Sequence, residues 1–258
     1  MKFAVCVAWH NEVQRQLFLD AWGIKGAVPE WLVMEQDEAH LGCAVTKNRA
    51  IKRAIDMSAD AIVVLDDDCY PEETKTLVEL AQGHLAALEP QPCQLFEPVT
   101  DPSSRGTPYY ARALTMPVAA SMGFWSNFGD YDSPGQLIHG ATHPMKMRRG
   151  TIFGRYFALC GMNYAFRAVE WPWCQLVESV GRFDDIWMGL LWQKHATASG
   201  QCFNLAGPIV RHSRQSNVWA NLRDEAQRLE ANETAWQRVH EAQTLDRDEL
   251  LTIVKGAP

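Results

Sequence analysis

Residues 61–68 read Ala-Ile-Val-Val-Leu-Asp-Asp-Asp, and this stretch decides the fold. Five consecutive apolar residues predict a strand that is buried on both faces, because a strand with one exposed face would alternate apolar and polar residues. Asp66, Asp67 and Asp68 follow directly, so they are expected at the carboxyl end of that strand. Ligands of open α/β sheets bind beyond the carboxyl ends of the strands. The stretch therefore predicts both a central strand and the place of a site.

The sequence before and after this strand alternates strand-like and helix-like patterns. Residues 3–9 and 31–34 are short apolar runs, and residues 43–57 carry one apolar helical face. Asn11 is placed to cap a helix after the first run, and another helix is expected to begin at Pro71. Such alternation predicts a parallel or mostly parallel sheet covered by helices.

The second half of the chain is less regular. Residues 97–150 are rich in Pro, Gly, Ser and Tyr, which predicts long loops. Regular structure is expected over residues 156–167, as a helix over 184–198 and as a short strand near 202–205. Apolar residues at helical spacing predict one amphipathic helix over residues 218–240.

Length and composition restrict the class of protein. A chain of 258 residues buries a full core, and one α/β domain is expected at this size. No stretch approaches the roughly 20 apolar residues of a membrane span, and the start lacks a signal peptide, so a cytoplasmic protein is expected. Seven cysteines without a Cys-x-x-Cys pair predict reduced, mostly buried thiols.

The net charge of −7 is unevenly distributed. Residues 1–100 carry 8 basic and 16 acidic side chains, whereas residues 145–215 carry 9 basic and 4 acidic ones. A basic face in the second half suits a diphosphate or another polyanion, although the acidic total gives no general attraction to nucleic acid. A mixed, solvated surface is the alternative interpretation.

Three adjacent aspartates repel one another, and a bound cation would relieve that repulsion. Carboxylate oxygens suit Mg²⁺ or Mn²⁺, which are often held by one or two carboxylates together with substrate phosphates. Alternation along an extended chain places Asp66 and Asp68 on one side, so both are predicted metal ligands. Asp67 is expected to support them or to contact the sugar. The alternative is a solvated acidic turn.

Further candidates follow the middle of the chain. Asp184 and Asp185 begin a predicted helix, where one is expected to be the N-cap and the other to face a pocket as a proton acceptor. His212 lies between Arg211 and Arg214, which favours a phosphate or metal site over an ordinary surface histidine.

Polar residues at the ends of the first strands are candidates for nucleotide binding. His10, Asn11 and Asp37 follow two predicted strands, and Lys47 and Arg49 offer cations for a diphosphate. The exposed side of an amphipathic helix is the alternative for the two cations. Kinase-like and nicotinamide-binding glycine loops are absent, as are Gly-x-Ser-x-Gly and His-Glu-x-x-His motifs.

Six separated blocks carry a family resemblance. They lie at residues 65–69, 116–125, 130–134, 160–166, 181–187 and 212–222. In order and approximate spacing, the blocks resemble the reversibly glycosylated polypeptides, whose plant members include UDP-arabinopyranose mutases. The resemblance implies a GT-A glycosyltransferase fold, a Rossmann-like mixed sheet covered by helices, in one domain with a C-terminal helix.

The resemblance also implies roles along the chain. It implies a nucleotide-binding half over residues 1–95, an acceptor and catalytic half over 96–215 and a helical segment over 216–258. A UDP-sugar donor and Mn²⁺ or Mg²⁺ at the triple aspartate are expected. Within the matching blocks, Gly161 and Asn163 are assigned to nucleotide-sugar binding and Arg182 to catalysis.

In that family one arginine is reversibly glycosylated, and a second arginine seven residues later supports activity. Arg105 and Arg112 have this separation, and both are therefore catalytic candidates. The residues between them match the family poorly, and one residue must be inserted before Met116. The self-glycosylating mutase is thus kept as an alternative.

The main hypothesis is a metal-dependent transfer of a sugar from a UDP-sugar to an acceptor hydroxyl of a small molecule or glycan. The alternatives are transfer to hydroxymethylated bases of DNA, as in phage-type enzymes, and the UDP-sugar mutase. A non-catalytic sugar-nucleotide binding protein and a metal-dependent hydrolase are the further alternatives. Each class is separated from the others by the products formed.

Overall fold

The computed structural model describes residues 1–38, 40–94, 113–140, 148–214 and 217–256. The strands are β1 (Phe3–Trp9), β2 (Leu32–Gln36), β3 (Ala61–Asp66), β4 (Cys69–Pro71), β5 (Gln91–Gln94), β6 (Ala113–Met116), β7 (Val118–Met122), β8 (Trp125–Asn127), β9 (Thr151–Ile152), β10 (Asn163–Arg167), β11 (Cys202–Asn204) and β12 (Val210–His212). The helices are α1 (Glu12–Ala21), α2 (Cys43–Asp56), α3 (Leu77–Ala87), α4 (Ser133–His139), α5 (Asp184–Ala198), α6 (Val218–Glu225), α7 (Leu229–Glu241) and α8 (Arg247–Lys255).

Within the described residues, seven strands form the main sheet in the order β2-β1-β3-β10-β7-β11-β9. Strand β1 pairs in parallel with β2 and β3, whereas β10 runs antiparallel to β3 and β7. The sheet is therefore mixed, because β10 enters it against the direction of its neighbours. This single-domain, Rossmann-like sheet covered by helices confirms the predicted GT-A fold class.

The core lies on both sides of β3, whose first five residues are fully buried. On one side, α2 places Ala50, Ile51 and Ala54 in the core. Helix α5 buries seven consecutive residues, 187–193, so its middle is covered on every side. It packs against β11, α7 and α8. Trp192 of α5 contacts Phe166 of β10 edge to face, with ring centroids 5.8 Å apart.

Of two helix starts predicted in the first part of the chain, one is confirmed and one is wrong. Asn11 caps α1 as predicted, since its side chain accepts from the amide of Gln14 at 2.8 Å. The helix predicted to begin at Pro71 is wrong, because residues 69–71 form β4 and pair with β12. Helix α3 begins at Leu77, and the side chain of Thr76 caps it.

Two predictions in the second half of the chain are also wrong. The described part of residues 97–150 contains β6, β7, β8 and α4 rather than loops alone. Strand β7 is buried along its whole length, so its sequence lacks the alternation of apolar and polar residues that predicts a half-exposed strand. The helix predicted over residues 218–240 is divided, because α6 buries Asn221 and Glu225 whereas α7 buries Ala235 and Val239 against different neighbours.

The predicted thiols are confirmed, because all seven cysteines are free and six of them are buried. Cys43, at the start of α2, is exposed. Among the described residues, no helix has both the length and the apolar character needed to cross a bilayer.

A buried polar network joins α3 to the sheet. His84 is fully buried, and its ring nitrogens lie 2.9 Å from the Ser121 hydroxyl and 2.8 Å from Asn163 Oδ1. The amide of Asn163 donates to the carbonyls of Phe124 and Pro208. Asn163 is thus used by the core, although the family resemblance assigned it to sugar binding.

This network predicts an acid-sensitive contribution to stability. Burial lowers the pKa of His84 to about 4, so acid protonates the unfolded histidine first. The contribution of neutral, buried His84 to the free energy of unfolding is therefore complete above pH 6.5, and it is lost as the pH falls from 6.5 through 4. Between pH 7.5 and 4.5 we expect wild type to lose roughly 2 to 3 kcal/mol more unfolding free energy than His84→Gln. Urea unfolding at both pH values measures this difference, and parallel losses would contradict it.

Candidate functional site

A small sheet of strands β4, β12 and β8 brings residues 210–214 next to the triple aspartate. Strand β12 pairs with β4, and His212 lies opposite Cys69. The carbonyl of Asp68 accepts from the amide and the hydroxyl of Ser213, both at 2.9 Å. The end of β3 therefore meets a segment that lies about 145 residues later in the chain.

Asp68 is buried between Arg214 and His212, and although burial opposes the shift, contact with Asp68 raises the pKa of His212. Its Oδ2 accepts from Arg214 Nε at 2.9 Å and lies 3.5 Å from His212 Nε2. Burial alone would raise the pKa of Asp68, but the His212 hydrogen bond and the Arg214 charge lower it below its usual value. Asp68 is thus ionised at neutral pH, and one of its oxygens is already paired.

Asp66 is paired with a buried lysine from α2. Lys47 Nζ forms an ion pair with Asp66 Oδ1 and donates to the carbonyl of Gly161 at 3.0 Å. Burial would lower the pKa of Lys47, but Asp66, Cys43 and Asp184 raise it well above its usual value. Lys47 therefore stays charged inside the site, and it faces carboxylates rather than the exposed side of its helix.

Three carboxylate oxygens of the cluster are buried without a hydrogen-bond partner: Asp66 Oδ1, Asp67 Oδ2 and Asp68 Oδ1. Asp66 Oδ1 has Lys47 as its ion-pair partner, so the oxygens of Asp67 and Asp68 are the two that have neither. Burial, followed by the charges of Asp66 and Asp68, raises the pKa of Asp67 to about 7. Buried carboxylate oxygens without a donor are costly. The cluster is therefore short of positive charge and of hydrogen-bond donors in the described part of the chain.

The second acidic pair begins α5 as predicted, but Phe183 rather than an aspartate holds the N-cap position. Asp185 accepts from the amides of Gly161 at 2.6 Å and Ile186 at 2.7 Å. A Cβ at residue 161 would lie 2.9 Å from Asp185 Cβ, so only glycine permits this approach. Burial and then Asp184 raise the pKa of Asp185 to about 8.

Two pairs of carboxylates, Asp66 with Asp68 and Asp184 with Asp185, line one cavity of about 460 Å³. Its volume lies within the range of small-molecule sites. The predicted residues that line it are Lys47, Asp66, Asp68, Arg182, Asp184, Asp185, His212 and Arg214. Five further residues with polar or thiol side chains line the cavity and were not predicted as site residues, namely Cys43, Asp130, Cys160, Ser179 and Asp224. Of these, Asp130 and Cys160 lie in blocks that carried the family resemblance.

Other predicted residues lie outside the cavity lining. Asn11 caps α1 and contacts His10, whereas Asp37 accepts from the amides of residues 41 and 42 ahead of α2. Arg49 is exposed, and Arg211 lies over the ring of Tyr70 at 5.9 Å. Asp37 thus shapes the loop that leads into the cavity, and Arg105 and Arg112 lie outside the described residues.

A second cavity, of about 860 Å³, lies beside the first. Its described lining residues contain no carboxylate, and they include Phe124, Trp125, Arg148, Arg149 and Tyr156. Residues 157 and 158 line this cavity, and residues 160 and 162 line the acidic one. The two cavities are therefore separated by one short segment of chain.

Comparison with known proteins gives the family. The sequence model of the reversibly glycosylated polypeptides matches residues 56–245. UDP-arabinopyranose mutase 3 of Arabidopsis thaliana is 31% identical over 188 residues, and probable UDP-arabinopyranose mutase 1 of Pisum sativum is 29% identical over 181 residues. Each alignment covers 64% of this chain and 50% of the relative, so the chain spans about half the length of these relatives. The chain therefore belongs to the reversibly glycosylated polypeptide family.

Proposed function

We propose that the protein binds a UDP-sugar in the acidic cavity and breaks and remakes the bond between the anomeric carbon and the diphosphate. A mutase, which returns an isomer of the same UDP-sugar, is the form of this chemistry that the names of the relatives favour. The observation that supports the proposal best is the buried carboxylate cluster at the end of β3, surrounded by cationic side chains in a cavity of ligand size.

The cationic side chains suit the diphosphate. Breaking the anomeric C–O bond builds negative charge on the leaving diphosphate and positive charge on the sugar. Arg214 and Lys47 both line the cavity, and the Arg214 side chain is the more exposed of the two. Fixed cations at the developing charge stabilise the transition state without reorganisation. Arg214 and Lys47 are therefore the proposed diphosphate ligands.

The carboxylates fit Mn²⁺ or Mg²⁺ in part. Asp68 lines the cavity and its Oδ1 is unpartnered, which suits an oxygen that accepts a cation. The other predicted ligand, Asp66, also lines the cavity but is already paired with Lys47, and Asp67 is not among the lining residues. Among the described residues, no group of three or more His, Cys, Asp or Glu side chains is arranged to hold a metal ion. Substrate phosphates would have to complete the coordination. Bound there, the ion would neutralise charge on the diphosphate.

Asp184 is the proposed partner of the sugar or acceptor hydroxyl. Both oxygens of Asp185 accept backbone amides, so Asp185 shapes the site. Asp184 uses Oδ1 to accept from the amide of Asp185 at 2.8 Å, which leaves Oδ2 for the cavity. Burial raises the pKa of Asp184, whereas Lys47 lowers it. A carboxylate in this position accepts a hydroxyl proton or orients the sugar.

Transfer to an acceptor hydroxyl is the second candidate function. The larger cavity favours it, because aromatic and basic residues line a space of acceptor size beside the acidic cavity. Product analysis separates the two candidates. Mass spectrometry of reactions with UDP-pentoses and UDP-hexoses detects an isomerised UDP-sugar for the mutase. For transfer, UDP forms only when an acceptor glycan or hydroxymethylated DNA is present. No consumption of any donor would contradict both.

Asp68→Asn should remove donor turnover without unfolding the chain. The substitution keeps the side-chain shape but deletes the charge that Arg214 and His212 face. Loss of one preorganised electrostatic contact costs about 100-fold or more in rate. Initial rates of UDP-sugar consumption test this expectation, with Asp56→Asn at an exposed ion pair as the matched control. Equal rates in wild type and Asp68→Asn would rule out the assigned role.

UDP and Mn²⁺ together should raise the melting temperature more than either alone. A ligand at 100 times its Kd stabilises the folded state by about 2.7 kcal/mol, which corresponds to several degrees. Differential scanning fluorimetry with EDTA or Mn²⁺ measures the effect. Asp68→Asn should lose the part that depends on Mn²⁺. An identical UDP shift in EDTA and Mn²⁺ would mean that the nucleotide binds without the ion.

A further inference from the structure

Glu225, the last residue of α6, is a buried carboxylate with three donors from two other parts of the fold. It is 2% exposed. Its Oε1 accepts from Arg182 Nε at 2.7 Å. Its Oε2 accepts from the amide and hydroxyl of Ser133, at 2.7 and 2.8 Å. One side chain thus joins α6, the turn before α5 and the first turn of α4.

A second contact holds the same two helices together. Asn221 of α6 donates to Gln136 of α4 at 3.3 Å, and Gln136 donates to the carbonyl of Tyr131 at 2.7 Å. The start of α4 is therefore fixed at two places by α6. Its position does not depend on Glu225 alone.

Arg182 stands between Glu225 and the cavity. Its side chain is 36% exposed and lines the cavity, and its Nη2 lies 3.8 Å from Asp130 Oδ1. The guanidinium is planar, so a hydrogen bond at Nε fixes the directions of both Nη groups. The contact with Glu225 therefore determines where Arg182 presents its remaining donors.

A buried ion pair is a weak source of stability, because desolvation offsets most of the attraction. An apolar contact between α6 and the turn before α5 would stabilise the fold at least as well. The Arg182–Glu225 pair is better explained by the orientation that it gives to Arg182 than by its contribution to stability, since Arg182 is a cation that lines the cavity.

We propose that Glu225 is a positioning residue: it holds the Arg182 guanidinium at the rim of the acidic cavity so that the Nη groups meet the bound sugar-diphosphate. The inference rests on the proposed function for the identity of the ligand. The orientation of Arg182 is independent of that function, because the contact exists without a ligand.

The kinetic test uses a double-mutant cycle of Glu225→Gln and Arg182→Ala. If Glu225 acts through Arg182, Glu225→Gln should raise KM for the donor about tenfold, and the double variant should be no worse than Arg182→Ala. Ser133→Ala, which removes only the hydroxyl donor to Oε2, should leave KM near wild type. Glu233→Gln removes an exposed carboxylate of α7 and is the control for charge. Additive effects, or an equal rise in KM for Ser133→Ala, would overturn the proposal.

A spectroscopic test separates this proposal from the proposed function. In ¹⁵N NMR spectra, the Nε–H of Arg182 should exchange slowly in wild type and in Ser133→Ala. It should exchange quickly in Glu225→Gln, or in Glu225→Asp if the glutamine variant does not fold. Unchanged exchange in these variants would overturn the positioning role. A wild type that consumes no UDP-sugar, yet shows the protected Nε–H, would reject the function and keep the orientation.

Discussion

The structure depends on how the charge at the end of β3 is neutralised. Three adjacent carboxylates at the edge of a buried strand repel one another, and burial adds to the cost of ionisation. Lys47 from α2 compensates Asp66, and Arg214 with His212 compensates Asp68. The two unpartnered oxygens of Asp67 and Asp68 are left over after this compensation. The folded chain thus balances most of the charge and leaves two buried carboxylate oxygens without a donor.

This electrostatic requirement links distant parts of the chain. Helix α2 supplies a lysine, strand β12 a histidine, and the segment after β12 an arginine. The small sheet of β4, β12 and β8 is what brings the last two beside Asp68. Gly161 then connects the two acidic pairs, because its carbonyl accepts from Lys47 and its amide donates to Asp185. The site is consequently shared among elements rather than formed by one loop.

The sequence predicted the features that depend on local pattern. The strand that ends at Asp66 and the helix that begins at Asp184 follow from apolar runs and helical spacing. Pairings between distant segments have no local pattern, so the partners of Lys47 and the role of Glu225 were not predictable. The local sequence favours a helix start at Pro71, whereas strand β4 forms only through its pairing with the distant β12. The family motif predicts a ligand contact for Asn163, but a motif does not distinguish a buried amide from an exposed one, and Asn163 is fully buried.

In the proposed reaction, the diphosphate of a UDP-sugar and a divalent cation meet at the carboxylates that end β3. A crystal structure with UDP and Mn²⁺, measured at a wavelength where manganese scatters anomalously, tests it most directly. An anomalous peak beside the carboxylate of Asp68 is expected, with the diphosphate in contact with Lys47 and Arg214. A diphosphate bound in the larger cavity, with no peak at the end of β3, would contradict the account.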